Sequence, residues 1–394
     1  MPFISAFALN PWVPLPLIYI IAAFIVYVLL SSHVQQLFYS DDFYLLMMIV
    51  AGLIGMSLVI EYTGTKNLNH VAALSMTILF FYIVVRSLIA KLSFEKINSV
   101  LVLSLLMVSI FVIIEFIATN YFGVNFLKII PYTRNDLSEA LTIGNLARPR
   151  GFAEEAGHMA MFYELVLPLS VIYFRNKSTI VTSCYYLLIF TSFILLFSSA
   201  AIVSLILATF TILFLNFYKK QYLFALVILL MIILIFFSSN FTQFYLEGTI
   251  FKKLQIFLSS SQQTDISVIT RSERYSQAFI YFISSPFVGI GWGTVSQLAV
   301  SSRIYAGVVS PGGFISLYAE ILVASGVIGL TMFVLFLFRK IIRLMHSRDP
   351  ASNMLLISIL SLLLHYGFVS NYWFPMLWFS LGLADNMNYK KLLI

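Results

Sequence analysis

The chain has 394 residues, of which 61% are hydrophobic and 10% charged, with a formal net charge of +7 and a mean hydropathy of +0.97. So apolar a composition excludes a soluble globule, whose elements must alternate apolar and polar faces, and describes a polytopic membrane protein. The positive charge sits largely in short connections, where it is a signal of topology rather than of nucleic-acid binding.

Apolar runs of roughly 17 to 25 residues can cross a hydrocarbon core about 30 Å thick as helices, and lipid leaves the backbone of an all-α protein no other way across. In chain order they fall near 13–32, 43–60, 71–90, 98–118, 156–174, 179–197, 200–217, 222–238, 313–338, 350–367 and 370–386. The expected fold is therefore an all-α polytopic membrane protein of about 11 or 12 transmembrane helices, forming a single integral membrane domain over residues 1–394. The pattern leaves two places open. Phe197-Ser-Ser-Ala200 either separates two helices or breaks one, and the last run is short and holds Pro375. The opening MPFISAFALNPW lacks a basic n-region and a small-residue cleavage site, so the first run reads as a span rather than a removable signal. Cys184, the single cysteine, lies inside an apolar run; it excludes an intrachain disulfide and reads as a packing residue.

Lys and Arg in alternate short connections set the orientation, because they resist translocation. One set carries Arg86, Lys91, Lys96, Arg175, Lys177, Lys219, Lys220, Arg339, Lys340, Arg343, Arg348, Lys390 and Lys391; the short loops of the other hold only Lys66. The first set is expected in the cytoplasm, with the N-terminus outside. Two long connections, 120–155 and 240–312, then face outward and carry nearly all the remaining charge. Loops of that length are usually functional or disordered, and apolar helical stretches such as YSQAFIYFISS argue for order. The expected result is a cap over the outer face built on short helices. The two halves do not match as inverted repeats with paired broken helices, which weighs against a carrier.

The first long loop ends in ARPRGFAEEAGHMAM, residues 147–161. Glu154 and His158 are four apart and Glu155 and His158 three apart, so on a helix either carboxylate can share a face with the imidazole. In lipid each of these charges would cost about 2.5 to 3.5 kcal/mol on the insertion scale, so the group must meet water or a polar cavity. A plainer reading remains for single residues, since acidic side chains in a first turn complement the helix dipole and arginines at a membrane edge can contact lipid phosphate. His70 and His365, isolated near the outer side, read as hydrogen-bonded structural residues. The glycines of GIGWG lack the lysine and strand of a phosphate loop and read as a tight turn. No D-x-D occurs in either long loop, so neither metal nor other cofactor is expected.

The pattern of Arg148, Gly151, Phe152, Glu155, His158 and Ala160 resembles the R-x-x-G-[LF]-x-x-E-P-S-[HY]-x-A segment of Wzy-type O-antigen and capsule polymerases. In TRSERYSQAFIYFISSPFVGIGWGT, Arg271, Ala278, Pro286, Gly289, Gly291 and Gly293 resemble the arginine helix and P-x-x-G-x-G turn of the wider polymerase and ligase superfamily. ILVASGVIGLTMF and NYWFPMLWFSLGLA are similar to the spans that follow. The resemblance covers residues from about 145 to 385, and the first four runs match in hydropathy alone. Ala156 and Gly157 replace the proline and serine of the family segment, and SPGGFISLYAE lacks the histidine and asparagine that ligases carry there, which favours a polymerase.

The resemblance implies transfer of a growing glycan from undecaprenyl diphosphate to the terminal sugar of a second lipid-linked repeat unit, on the periplasmic face of the bacterial inner membrane. Membrane lipid surrounds the site, and a chain-length regulator protein is the implied partner. Arginine forks would hold the diphosphate bidentately. Arg148 and Arg271 are the catalytic candidates, with Arg150, Arg274, Arg303 and Glu154 at the substrate, while Glu155 or His158 would serve as base. The rival readings are a ligase that moves glycan to a lipid A core and a flippase for lipid-linked oligosaccharide.

Overall fold

The computed structural model describes residues 8–10, 13–30, 38–58, 64–124, 142–143, 146–153, 155–215, 275, 277–295, 316–347, 349–370, 372 and 374–392. Among these the molecule is predominantly helical. Four helices are long and apolar enough to span a bilayer: Asn67–Ile89, Phe94–Phe122, Ala156–Phe174 and Leu317–His346. Shorter apolar helices accompany them at Asp42–Leu58, Thr179–Leu195, Ser199–Leu213 and Pro350–His365.

In chain order α1 is Leu15–Leu30 and α2 is Asp42–Leu58. Helix α3, Thr65–Met76, continues through a π-helical stretch, Thr77–Val84, into α4, Val85–Ile89. Helix α5 is Phe94–Phe122, α6 Ala156–Phe174, α7 Thr179–Leu195, α8 Ser199–Leu215, α9 Leu317–His346, α10 Pro350–His365 and α11 Pro375–Leu392. The Phe197 question resolves into two helices: Leu196 caps α7, Phe197 turns the chain at φ 49°, and α8 begins two residues on. Pro375 opens α11 at a position where no backbone N–H is required. The apolar run near 222–238 lies outside the described residues.

Local chemistry sets the helix ends. Ser93 and Ser178 accept from the backbone N–H groups of Lys96 and Val181, and Asp349 caps α10 ahead of Pro350. Glycine at 123, at φ 64°, closes α5. Outward faces of α5 and α7 carry Val100, Leu103, Met107, Ile180 and Leu187, all exposed. An apolar surface of this kind suits lipid rather than water, and the molecule is an integral membrane protein.

Helix α6 lies at the centre, packed against α5 and α10, while α2 runs along α9 and α11 packs against the π-helical stretch. Pro168 interrupts the hydrogen-bond ladder of α6. On either side of it, carbonyls of α6 accept from neighbouring helices, Leu165 from Ser358 at 2.7 Å and Leu169 from Asn98 at 3.0 Å. Lower in the same interface Glu164 of α6 meets His365 of α10 at 2.9 Å, both buried. His70 is likewise paired, with the Tyr372 hydroxyl at 2.7 Å, so both histidines are hydrogen-bonded as expected.

At one end of the bundle, where the Arg86, Arg339, Lys340 and Arg343 positions gather, three aspartates neutralise the basic side chains. Arg86 bonds Asp42 at 2.8 Å and Asp385 at 3.1 Å, and the Tyr82 hydroxyl lies 3.0 Å and 2.8 Å from the same two carboxylates. Buried Lys340 joins Asp385 to Asp41, which also meets Arg339 at 3.1 Å and Arg343. Burial alone would raise the Asp41 carboxyl, but Lys340, Arg343 and Arg339 together hold it below its ordinary value.

Helix α9 is broken in mid-course. Gly326 has φ 66° and ψ −169°, which leaves the carbonyls of Val323 and Ala324 and the N–H groups of Val327 and Ile328 without their helical partners. Residues 286–291 enter the gap and replace all four bonds. Ile290 and Gly291 donate to Val323 and Ala324 at 2.9 and 3.0 Å, and Pro286 and Phe287 accept from Val327 and Ile328 at 2.9 and 3.1 Å. Irregular backbone at membrane depth is tolerated only when satisfied by protein in this way. Gly289, Gly291 and Gly293 all have positive φ, so GIGWG is the tight turn expected of it. Trp292 is fully buried, and Asn67 donates to its carbonyl at 3.0 Å and to Thr294 at 2.8 Å.

Two small strand pairs depart from an all-α expectation. Ala8–Asn10 pairs antiparallel with Val13–Pro14, and Thr142–Ile143 with Leu146–Ala147. The second pair delivers the chain to Arg148. Of the second long loop, residues 277–284 are helical, as expected of a short cap helix.

Candidate active site at the loop end of the bundle

The described residues of the arginine segment are seated at the end of the bundle opposite the aspartate cluster. Asn120, in the last turn of α5, bonds Ala147 twice, accepting from its N–H at 2.7 Å and donating to its carbonyl at 3.0 Å. The chain is thus fixed one residue before Arg148. Half-buried Arg148 then reaches across to α7, where Nη2 and Nε donate to the Leu196 carbonyl at 3.1 and 3.3 Å. That carbonyl belongs to the capping residue of a helix C-terminus, where partial negative charge favours a cation.

The next residues turn back over α5. Gly151 adopts φ 60°, and Ala153 donates to the Arg150 carbonyl at 3.1 Å. The backbone N–H groups of Arg150 and Gly151 both point at Oε2 of Glu115, at 3.2 and 2.7 Å. Glu115 is a buried carboxylate on α5 that motif reading overlooked, although a lone acid within an apolar span was a signal in plain view. Phe152 stacks on Phe111 of α5 with ring centroids 4.2 Å apart.

Glu155 is the N-cap of α6; its side chain is exposed and makes no capping bond. His158, one turn on, is buried, with its ring centroid 3.9 Å from that of Phe374 ahead of α11. Ala160 is buried without residue. The fold therefore places Arg148, Arg150, Glu155 and His158 at one end of the bundle, ahead of and within the first turn of the central helix. The N-terminus of a helix is its positive dipole end, an environment that favours an anion. Glu154, Arg271, Arg274 and Arg303 lie outside the described residues.

The second motif comes to the same end. Tyr275, which follows Arg274 in the chain, donates to the Gly367 carbonyl at 3.0 Å, in the turn after His365. Ala278 is buried against Ile290 and Val323. Beyond it stands the inserted turn, with Gly293 against His70 and His70 bonded to Tyr372. Burial and then the Glu320 charge push the Tyr372 hydroxyl well above its ordinary pKa, so it stays protonated. Among the described residues no group of three or more His, Cys, Asp or Glu side chains could hold a metal ion.

The described residues form a polytopic helical membrane protein. Residues 184–334 match the family model described as O-Antigen ligase. Over that stretch the chain is similar to the O-antigen polymerase and ligase superfamily. Among curated proteins none matches the chain.

Proposed function

We propose that the protein is a Wzy-type polysaccharide polymerase of the bacterial inner membrane, acting at the periplasmic face. The donor is a glycan on undecaprenyl diphosphate and the acceptor a second lipid-linked repeat unit. In the reaction the bond from the anomeric carbon to the diphosphate oxygen breaks, and the diphosphate leaves with the electron pair. The acceptor oxygen forms the new bond to that carbon and gives its proton to a base. A diphosphate is a good leaving group when its charge is held, and arginine holds it without a metal.

The observation that carries this reading is the assembly of Arg148, Arg150 and the N-terminus of α6 at one end of the bundle, with the chain after Arg274 docked at that end through Tyr275. Arg148 and Arg271 are the proposed diphosphate forks, supported by Arg274 and Arg303. Exposure favours Glu155 over the buried His158 as base, because an acceptor hydroxyl must reach it. The family description gives a ligase as the second reading. The absence of histidine and asparagine in SPGGFISLYAE supports the polymerase instead.

Purified protein in liposomes, given lipid-linked repeat units alone, separates these readings. Chain growth without an ion gradient supports the polymerase. Transfer only after a lipid A core acceptor is added supports the ligase, and transbilayer movement without growth supports a flippase.

A further inference from the structure

From this geometry we infer that Glu115 is a positioning residue: it anchors the backbone that carries Arg148 beneath the diphosphate site. This inference rests on the polymerase reading above.

A carboxylate in the last third of a 29-residue apolar helix needs a reason to be there. Glu115 is buried, and a single oxygen, Oε2, accepts from two consecutive backbone N–H groups at 3.2 and 2.7 Å. The left-handed Gly151 turns both N–H groups to the same side, the arrangement in which successive amides enclose an anion. A side chain at 151 would press on Met159 and Val112, at 2.9 and 3.2 Å, so the turn cannot open toward α6 or α5. Phe152 on Phe111 and Asn120 on Ala147 pin the same short segment to α5 from both flanks.

Three side chains of one helix thus hold residues 147–152, and Arg148 stands within that span. Arg150 is buried, whereas Arg148 is half-exposed. The two arginines therefore divide the work. Arg148 presents its fork to the substrate, and Arg150 lends its backbone N–H to the Glu115 anchor underneath. This assignment moves Arg150 from the substrate to the support.

Full-length protein in proteoliposomes tests the idea with undecaprenyl diphosphate as binding probe and lipid-linked repeat units as substrate. E115A is expected to weaken probe binding and raise KM by about tenfold or more, since two hydrogen bonds to a charged acceptor are lost. E115Q keeps an acceptor oxygen and is expected to stay within about threefold of wild type in KM. In a double-mutant cycle E115A and R148A should couple, because Glu115 acts through the placement of Arg148. Wild-type binding in E115A, or a loss in E115Q as deep as in E115A, would overturn the positioning role. If R148A also retains full binding and chain growth, the polymerase reading itself falls, so the two failures are told apart.

Discussion

Arg148 rests on the carbonyl of Leu196, the residue that ends α7, through Nη2 at 3.1 Å and Nε at 3.3 Å. This contact holds the guanidinium in place at the C-terminus of α7 before substrate arrives, which lowers the ordering cost of binding. R148A is expected to reduce chain growth by about a hundredfold or more while leaving the protein level in the membrane unchanged. R148K should recover only part, because an ammonium cannot make the bidentate bond. Polymer length on gels, normalised to membrane protein, is the measurement. E155Q, in the same assay, should lose about a hundredfold or more if Glu155 is the base.

The break in α9 predicts which glycines matter. A Cβ at Gly326 would collide with the Phe287 carbonyl, and its φ of 66° disfavours any side chain. G326A should therefore cost about 3 kcal/mol or more and lower the melting temperature in detergent. Gly157 is the control. It lies inside α6 with open space around its Cβ position, so G157A should stabilise by about 0.5 to 1 kcal/mol.

The Glu164–His365 pair joins α6 to α10 in the protein interior at 2.9 Å. Removing one partner leaves the other buried and uncompensated, so E164A or H365A should each cost about 3 to 5 kcal/mol. An apolar pair, E164L with H365L, should lose less than either single change. Melting curves of the three variants check the order.

The ion pairs of Asp41 are insensitive to mild acid. Its folded pKa is depressed, so its contribution is fully present above the ordinary aspartate value of about 3.9, and is lost only as pH falls through the lower folded value. The melting temperature should therefore show no loss from this site between about pH 8 and pH 5. D41N should cost about 2 to 3 kcal/mol across that window, because Lys340 loses one of its two carboxylates.

Membrane crossing was legible in the sequence because hydrocarbon thickness imposes a run length on every span, whatever its neighbours. The glycines of GIGWG were legible as a turn for the same local reason. Their destination was not: Gly326 in VASGVIG reads as one more small residue in a membrane helix, and only the distant Phe287 and Ile290 reveal the gap it makes. Arg86 and Lys340 were counted as topology signals, and their partners Asp42 and Asp385, 44 and 45 positions away, are set by packing rather than by pattern. At the site, spacing puts Glu155 and His158 at the first turn of one helix, and α6 has them there. Glu115 escaped because its partners are backbone N–H groups, which every sequence possesses.

The most direct test is a structure of the protein with undecaprenyl diphosphate bound in a lipid nanodisc. The account predicts the diphosphate at the N-terminus of α6 with guanidinium nitrogens of both Arg148 and Arg271 within hydrogen-bonding distance of its oxygens. A diphosphate seated elsewhere, or one touched by neither arginine, would contradict it.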